Sequence, residues 1–315
     1  MRASPALLVV ACAALLAGCG SSGTSGSGTT TPTGTTATTT QSGAPVGTIE
    51  AMWRGLGGDS VGLVPGTSDY GVGTNRVSFL VVDSKSQLIE TPTARVWVSH
   101  GLRQKPFATT RATLVPIGVP GGAKADAQSV YVTRIATPKP GKYWVLAQPV
   151  GGRAIQALGE MVVRRHSAAP AVGDRAVASH NPTIGSGGTA RSISTARPPD
   201  RELLRTSVAG AMAAGRPFVV TFATPQFCQS RTCGPVVQVV QTVAKTWQPR
   251  GVDFIHIEIY KDNDPAKGTN QWVNEWHLQS EPFTFVVDRS GIIRERFEGA
   301  FSAGELTAAV QKVAG

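Results

Sequence analysis

Between residues 48 and 163 the chain consists of short segments in which apolar and polar residues alternate, separated by turns rich in Gly and Pro. Val96 and Val98, for example, alternate with Trp97 and Ser99. A period of two places one face of a strand in a core and the other in solvent. No helical period appears in this stretch. The pattern predicts an antiparallel β-sandwich with strands at residues 76–82, 94–99, 130–137, 142–148 and 155–163.

The pattern changes from residue 200 onward, where helices and strands are predicted to alternate. Leu203, Leu204 and Val208 share one helical face, and a second amphipathic helix follows Gly234-Pro235. Proline is tolerated in a first helical turn because its missing N–H has no partner there. Helices are predicted at residues 200–214, from 234, at 270–278 and after the capping box Ser302/Glu305, and strands at 217–223, 252–260, 283–287 and 292–297. From residue 217 the order is β-α-β-α-β-β-α.

The first 19 residues have the pattern of a signal peptide. An apolar run from residue 6 to residue 16 follows Met1-Arg2, and it is too short to remain as a membrane-spanning helix. The sequence Leu16-Ala17-Gly18-Cys19 resembles a bacterial lipobox, which implies that Cys19 carries the lipid of the mature protein. The alternative is an ordinary cleaved signal in which Cys19 is incidental. The prediction is a lipoprotein on the extracytoplasmic face of the cell membrane.

Composition divides the remaining chain. Residues 20–47 are rich in Gly, Ser and Thr and hold almost no apolar residue, which predicts a disordered tether with a span of about 30 Å. The length that follows favours two domains. We place them at residues 48–165 and 200–315, with a connector at 166–199 that is rich in Ala, Ser, Gly and Pro.

The net charge of +10 and the pI near 9.8 do not indicate a nucleic-acid partner. The Lys and Arg residues are scattered, and no run of them interleaves with aromatic residues. We interpret the charge as a solvated surface. The expected partners are the membrane, through the lipid anchor, and client proteins, and no nucleic acid is expected.

Cysteine usage restricts the chemistry most strongly. The chain has four cysteines. Cys12 leaves with the signal peptide and Cys19 takes the lipid, so the mature fold keeps Cys228 and Cys233 in an oxidising compartment. These two pair with each other or with nothing.

Two family resemblances refine the fold prediction. Residues 140–145, Pro-Gly-Lys-Tyr-Trp-Val, resemble the late-strand pattern of immunoglobulin-like and fibronectin-like modules. The aromatic residues of this domain are interpreted as core rather than as a ligand platform: Trp97, Tyr131, Tyr143 and Trp144. Residues 172–176 resemble the extended segment that leads into many redoxin domains.

The second resemblance concerns the C-terminal third. Residues 219–223 lead into Cys228, Cys233-Gly234-Pro235 follows, and Glu281-Pro282 stands directly before a predicted strand. This arrangement resembles the thioredoxin family, in particular the TlpA-like redoxins. The resemblance implies a cis Pro282 that faces the cysteine pair and implies thiol–disulfide exchange without a cofactor. The fold class expected overall is two domains, an all-β immunoglobulin-like sandwich followed by an α/β thioredoxin-like domain.

The cysteine spacing departs from that family. Four residues separate Cys228 from Cys233, where thioredoxins have two. Position favours Cys228 as the exposed attacking thiol and Cys233 as the resolving thiol. The helix N-terminus and Arg231 favour a thiolate, whereas the negative charge of Glu281 opposes one. Thr221 occupies the strand position at which thioredoxins carry a buried acid.

Three functions remain open. The preferred one is a membrane-tethered thiol–disulfide oxidoreductase that acts on client thiols or disulfides, with the sandwich as a spacer or client-binding module. A non-enzymatic surface lipoprotein with a static disulfide is the second. The third is a carrier similar to the Sco-like copper proteins, with His256 or His277 as the added ligand. Hydrolase and nucleotide-binding motifs are absent from the sequence.

Overall fold

A computed structural model describes residues 44–55, 59–151, 155–186 and 188–315. The predicted signal peptide, Cys19 and most of the predicted tether lie outside the described residues. In the part of the chain that is described, no helix has the length and apolar character needed to cross a bilayer.

The alternating pattern of the first half produces strands that each bury one face. In β4, Ala94, Val96 and Val98 are buried while Arg95 is exposed. Helix α1 (Ile49–Gly55) comes first, and the strands are β1 (Asp59–Pro65), β2 (Tyr70–Gly71), β3 (Gly73–Val82), β4 (Thr93–Ser99), β5 (Ala108–Pro116), β6 (Ser129–Thr137), β7 (Gly141–Pro149) and β8 (Ile155–Arg164). The buried faces converge on one aliphatic and aromatic core.

These strands form one sheet that closes on itself. The order is β1-β3-β6-β5-β4-β7-β8, and β1 also pairs with β8 in parallel, with Val61 opposite Ala157. The closed ring has seven strands, and β2 is added at β8. Closure leaves no free edge in the ring, so every wall strand has two neighbours.

The predicted immunoglobulin-like sandwich is therefore wrong, because this half is a closed seven-stranded barrel. An in–out alternation is the same for a barrel strand and a sandwich strand, since both bury one face. The pairing of β1 with β8 decides between them, and β1 was not predicted as a strand. The expectation that this stretch lacks helices also fails, since α1 is present.

The second half contains a smaller sheet and short helices. Its elements are α2 (Val208–Ala213), β9 (Phe218–Phe222), α3 (Cys233–Trp247), β10 (Asp253–Ile257), α4 (Gln271–Glu275), β11 (Phe283–Val287), β12 (Ile293–Glu298) and α5 (Ala303–Gln311). The predicted helix at 200–214 is shorter, because a 3₁₀ turn (Glu202–Leu204) precedes α2 and Ser207 caps the helix anew. The Ser302/Glu305 capping box is confirmed.

The four strands lie in the order β10-β9-β11-β12. β9 and β10 are parallel, whereas β11 is antiparallel to both β9 and β12. Alternate residues face opposite cores: Val219 packs with α3 and α5, and Val220 packs with α2 and α4. Both faces of the sheet are thus covered, which explains the uninterrupted apolar runs in its strands.

The expected combination of a sandwich with an α/β thioredoxin-like domain is corrected accordingly. The described chain is a closed barrel plus a four-stranded mixed sheet with one parallel strand pair. Apart from α3, its helices have between five and nine residues. The motifs around the cysteines and Pro282 predict the local structure there. They do not predict the architecture of the whole sheet or of the barrel.

The barrel and the small sheet belong to one compact unit, Gly43–Gly315. The buried carboxylate of Asp69 pairs with Arg296 of β12 (Oδ2 to Nη2, 2.9 Å). Glu298, at the end of β12, accepts hydrogen bonds from the N–H groups of Ser68 and Asp69, both at 2.9 Å. Arg76 of β3 pairs with Glu305 at 2.9 Å. Charged contacts therefore join the two sheets.

Candidate functional site

The cysteine pair lies where the chain passes from strand β9 to helix α3. The backbone turns after Phe222, and the N–H of Cys228 donates to the carbonyl of Thr224 at 3.1 Å. Arg231 adopts a left-handed conformation (φ 54°), and its N–H donates to the carbonyl of Cys228 at 3.1 Å. These turns place Cys228 in the loop and Cys233 at the first residue of α3.

The two thiols are close together and differ in exposure. Both are free thiols; Cys228 is half-buried and Cys233 is fully buried. The backbone N–H of Cys233 donates to the Cys228 Sγ at 3.3 Å, and the Ser230 hydroxyl oxygen lies 3.6 Å from the same sulfur. The N–H groups at the start of an α-helix lack partners within the helix, so here one of them stabilises a sulfur anion.

The electrostatic consequences are opposite for the two sulfurs. Hydrogen bonding from the Cys233 thiol lowers the pKa of Cys228 to about 6. Partial burial opposes this shift, and hydrogen bonds from Ser230 and from the N–H groups of Cys233 and Thr232 add to it. Burial, followed by the thiol hydrogen bond and the charge of Cys228, raises the pKa of Cys233. At neutral pH, Cys228 is therefore the thiolate and Cys233 the protonated thiol.

Arg231, singled out from the sequence as a charge that favours a thiolate, has other surroundings than expected. The Arg231 side chain is exposed and forms an ion pair with Asp126 of the barrel, at 3.7 Å. The groups that lower the pKa of Cys228 are the hydrogen-bond donors around its sulfur rather than this guanidinium. Thr221 is buried, and its hydroxyl lies 3.0 Å from that of Thr284 on β11.

Glu281 and Pro282 precede β11. The Glu281–Pro282 bond is cis, as predicted, and Pro282 is buried. Burial, with a smaller contribution from the charge of Cys228, raises the pKa of Glu281, and the charge of Glu281 contributes to the raised pKa of Cys233. Glu281 therefore lies within electrostatic reach of both thiols.

Comparisons with known proteins give a partial likeness. No protein-family model matches the chain, and no curated protein matches it. Among solved structures, it is similar to a thiol:disulfide interchange protein of the thioredoxin family from Chlorobium tepidum, at 21% identity and a TM-score of 0.30, over 35% of this chain and 86% of that one. A putative thiol:disulfide interchange protein DsbE from the same organism gives 15% identity and a TM-score of 0.33, over 46% of this chain and 99% of that one.

Tyr260 is a residue of the site that sequence reasoning missed. Burial raises its pKa, and so do the charges of Glu281, Cys228 and Cys233. Its ring meets Phe227 edge to face, with centroids 6.3 Å apart. The sequence could have indicated that Tyr260 lies near the cysteines, because the carboxyl ends of two parallel strands meet at one edge of a sheet. β9 leads into the cysteine loop, and β10 leads to Tyr260.

The barrel also contributes to this region through the β5–β6 loop, residues 117–128. The N–H of Ala123 donates to Gln238 Oε1 of α3 at 2.7 Å. Val119 packs against the apolar core beneath α3. A Cβ on Gly118 would lie 3.1 Å from Pro235, so the loop backbone approaches the first turn of α3 closely. The loop thus covers one side of the helix that begins with Cys233.

The histidines considered for copper do not join the cysteines. His256 is buried; its Nε2 donates to the Ala223 carbonyl at 3.0 Å, and its Nδ1 lies 3.4 Å from the Ser194 hydroxyl. His277 is exposed. Within the described ranges, no group of three or more His, Cys, Asp or Glu residues is arranged to hold a metal ion. The geometry does not support the copper-carrier hypothesis.

Proposed function

We propose that the protein is a thiol–disulfide oxidoreductase in which Cys228 attacks and Cys233 resolves. The observation that carries the proposal is the asymmetry of the pair. Cys228 is accessible and has a pKa lowered to about 6, whereas Cys233 is buried and has a raised pKa. A fixed structural disulfide requires no such difference between its two sulfurs.

The reaction runs in two exchange steps with a client disulfide as the oxidant. The Cys228 thiolate attacks one client sulfur, the client S–S bond breaks, and the leaving client thiolate takes a proton from water. Cys233 then gives its proton to water and attacks the Cys228 sulfur, which breaks the mixed disulfide, releases the second client thiolate and forms the Cys228–Cys233 disulfide. Two electrons pass to the client, and the reverse sequence oxidises a client dithiol.

The charge of Cys228 affects the pKa of Cys233, and this charge is lost before the second step. The negative charge of Cys228 is one cause of the raised pKa of Cys233. Forming the mixed disulfide removes that charge, so the pKa of Cys233 falls at the step in which Cys233 must attack. The buried thiol is thereby kept protonated in the resting protein and becomes more acidic in the intermediate.

The proposed location is the extracytoplasmic face of the membrane, with Cys19 as the lipid-bearing residue. The support is the sequence of residues 1–19 and the Gly/Ser/Thr tether that follows. Fractionation of cells that express Cys19→Ser tests it. The variant should appear in the medium, and unchanged membrane retention would contradict the anchor.

Trapping of mixed disulfides tests the chemistry. Cys233→Ser should accumulate client adducts on a non-reducing gel after acid quenching of the native host, because nothing remains to release them. Cys228→Ser should trap few, and a variant with both substitutions is the control for adducts through other residues. Equal, low adduct levels in both single variants would leave a static bridge and sink the oxidoreductase proposal.

A further inference from the structure

A second polar site adjoins the cysteines. A pocket of about 650 Å³, called here the Glu258 pocket, lies between the connector and the segment that follows β10. Its lining includes Glu258, Tyr260, Asn263, Asn270 and Trp272. Tyr260 also neighbours the cysteine pair, so one edge of the pocket borders the redox site.

Only one of the two carboxylate oxygens of Glu258 has hydrogen-bond donors among the described residues. The residue is 5% exposed, and its Oε1 accepts hydrogen bonds from the N–H and the hydroxyl of Thr195, both at 2.6 Å. Its Oε2 is buried and has no partner among the residues that the structure describes. A buried carboxylate oxygen without a donor is unfavourable by itself, and a bound donor would offset that cost.

Trp272 has a hydrogen-bond donor that lacks an acceptor among the described residues. Its indole Nε1–H is also buried without an acceptor in the described part of the chain, and Trp272 is among the residues that line the same pocket. The pocket wall is held in place by Asn270, which donates to the Glu258 carbonyl and accepts from the N–H of Val273 at 3.0 Å. An acceptor and a donor without partners in the described residues therefore both belong to residues of the pocket wall.

We propose that the Glu258 pocket binds a basic side chain of the client polypeptide whose disulfide reacts at Cys228. An arginine or lysine side chain of the client completes the Glu258 carboxylate, and a main-chain carbonyl of the client accepts from Trp272. The other charged residues of the lining are Asp262, which is paired with Lys267 at 3.0 Å, and Lys261, which is exposed. This inference rests on the proposed function for the identity of the occupant.

A binding measurement without thiol chemistry tests the pocket. The probe is a short alanine-based peptide without cysteine that carries one central arginine, titrated by calorimetry into the Cys228→Ser/Cys233→Ser protein. Glu258→Gln should weaken binding about tenfold, because a charge-assisted hydrogen bond is lost, and Trp272→Phe about threefold. Glu160→Gln, an exposed carboxylate on β8, is the matched control and should leave affinity unchanged.

A peptide with citrulline in place of arginine separates charge from shape. It should bind more weakly than the arginine peptide to the protein with Glu258 and equally to the Glu258→Gln variant. Glu258→Gln keeps the shape of the side chain, and thermal melts check the folding of Glu258→Gln and Trp272→Phe. Equal affinity for the two peptides, or an unchanged affinity in Glu258→Gln, would overturn the inference. The trapping experiment is independent of this outcome, so the two proposals fail separately.

Discussion

Buried ionisable groups have opposite pKa shifts in the barrel region and beside the cysteine-bearing sheet. In β2, beside the barrel wall, burial raises the pKa of Tyr70, whose hydroxyl stays neutral and donates to the Thr67 carbonyl at 2.6 Å. Cys228 is also partly buried, yet donors around its sulfur outweigh the burial and lower its pKa. Burial alone favours the neutral form, so a reactive anion requires donors placed by the backbone.

The difference follows from the architecture. Each barrel strand has two neighbours, whereas the loop after β9 leads into α3, a helix whose first N–H groups are free to donate. The barrel is therefore suited to support and the strand–helix junction to chemistry. Substitutions in the two regions should separate these roles.

The largest effects are expected from emptying the two cores. Phe79, stacked on Tyr131 in the barrel, and Phe285, packed against Trp276 in the small sheet, are both fully buried. Replacing either with alanine should lower the free energy of unfolding by about 3–5 kcal/mol. Phe79→Ala should leave the alkylation rate of Cys228 in the folded protein unchanged.

Denaturant unfolding followed by circular dichroism and by tryptophan fluorescence measures these changes. If the two regions form one cooperative unit, both probes should give the same single transition in each variant. Two separated transitions, with only one of them moved by each substitution, would show that the regions unfold independently.

A smaller effect is expected from the contact between the regions. Asp69→Asn removes the charge that faces Arg296, and it keeps one side-chain oxygen where the N–H groups of Ala168 and Ala169 each have their own. The free energy of unfolding should fall by about 2 kcal/mol, because Arg296 loses its buried partner. Glu202→Gln breaks an exposed pair with Arg205 and should cost under about 1 kcal/mol. Equal losses in the two variants would contradict a buried ionic contact.

The smallest effect is a rate difference at the cysteines. The alkylation rate of Cys228 in the reduced protein should rise with pH through about 6 and level off above that value. At pH 6 about half of the thiol is ionised, against under about 1% for an ordinary cysteine, and the weaker nucleophilicity of a low-pKa thiolate leaves a rate advantage of roughly tenfold. Mass spectrometry of alkylated protein measures the profile.

Cys233→Ala and Cys233→Ser form a matched pair for the cause of that shift. The alanine variant removes the side-chain donor, so the midpoint of the profile should move to higher pH, while serine keeps a hydroxyl donor and should move it less. A midpoint that stays at about 6 in both variants would assign the lowered pKa to Ser230 and the backbone N–H groups instead.

Local signals in the sequence were reliable where a few neighbouring residues decide the structure. The strand at Phe283–Val287 and the Ser302/Glu305 capping box are of this kind, whereas the cis bond before Pro282 was expected from the family resemblance. Contacts between distant segments left no such signal. β1 contains Gly62 and ends at Pro65, residues that disfavour strand prediction, yet its pairing with β8 turns the sheet into a barrel.

The candidate site divides in the same way. The cysteines can be predicted as site residues from their residue type alone. Tyr260 and Gln238 cannot, because their place at the site depends on which distant segments fold against them. Gln238 receives the barrel loop through the N–H of Ala123, a residue with no sequence motif. An acidic neighbour for the pair could be named from the sequence as Glu281, but the donors that lower the pKa of Cys228 depend on the backbone conformation between the cysteines.

The bonds from Glu298 to the β1–β2 loop also set the order in which the protein can assemble. They join residues 230 and 229 positions apart, at Ser68 and Asp69. During synthesis the loop emerges long before β12, so its polar groups remain hydrated until the end of the chain arrives. Closing so long a loop is entropically costly, and native contacts of high sequence separation slow folding. We therefore expect these long-range contacts to limit the rate of folding more than the short helices do.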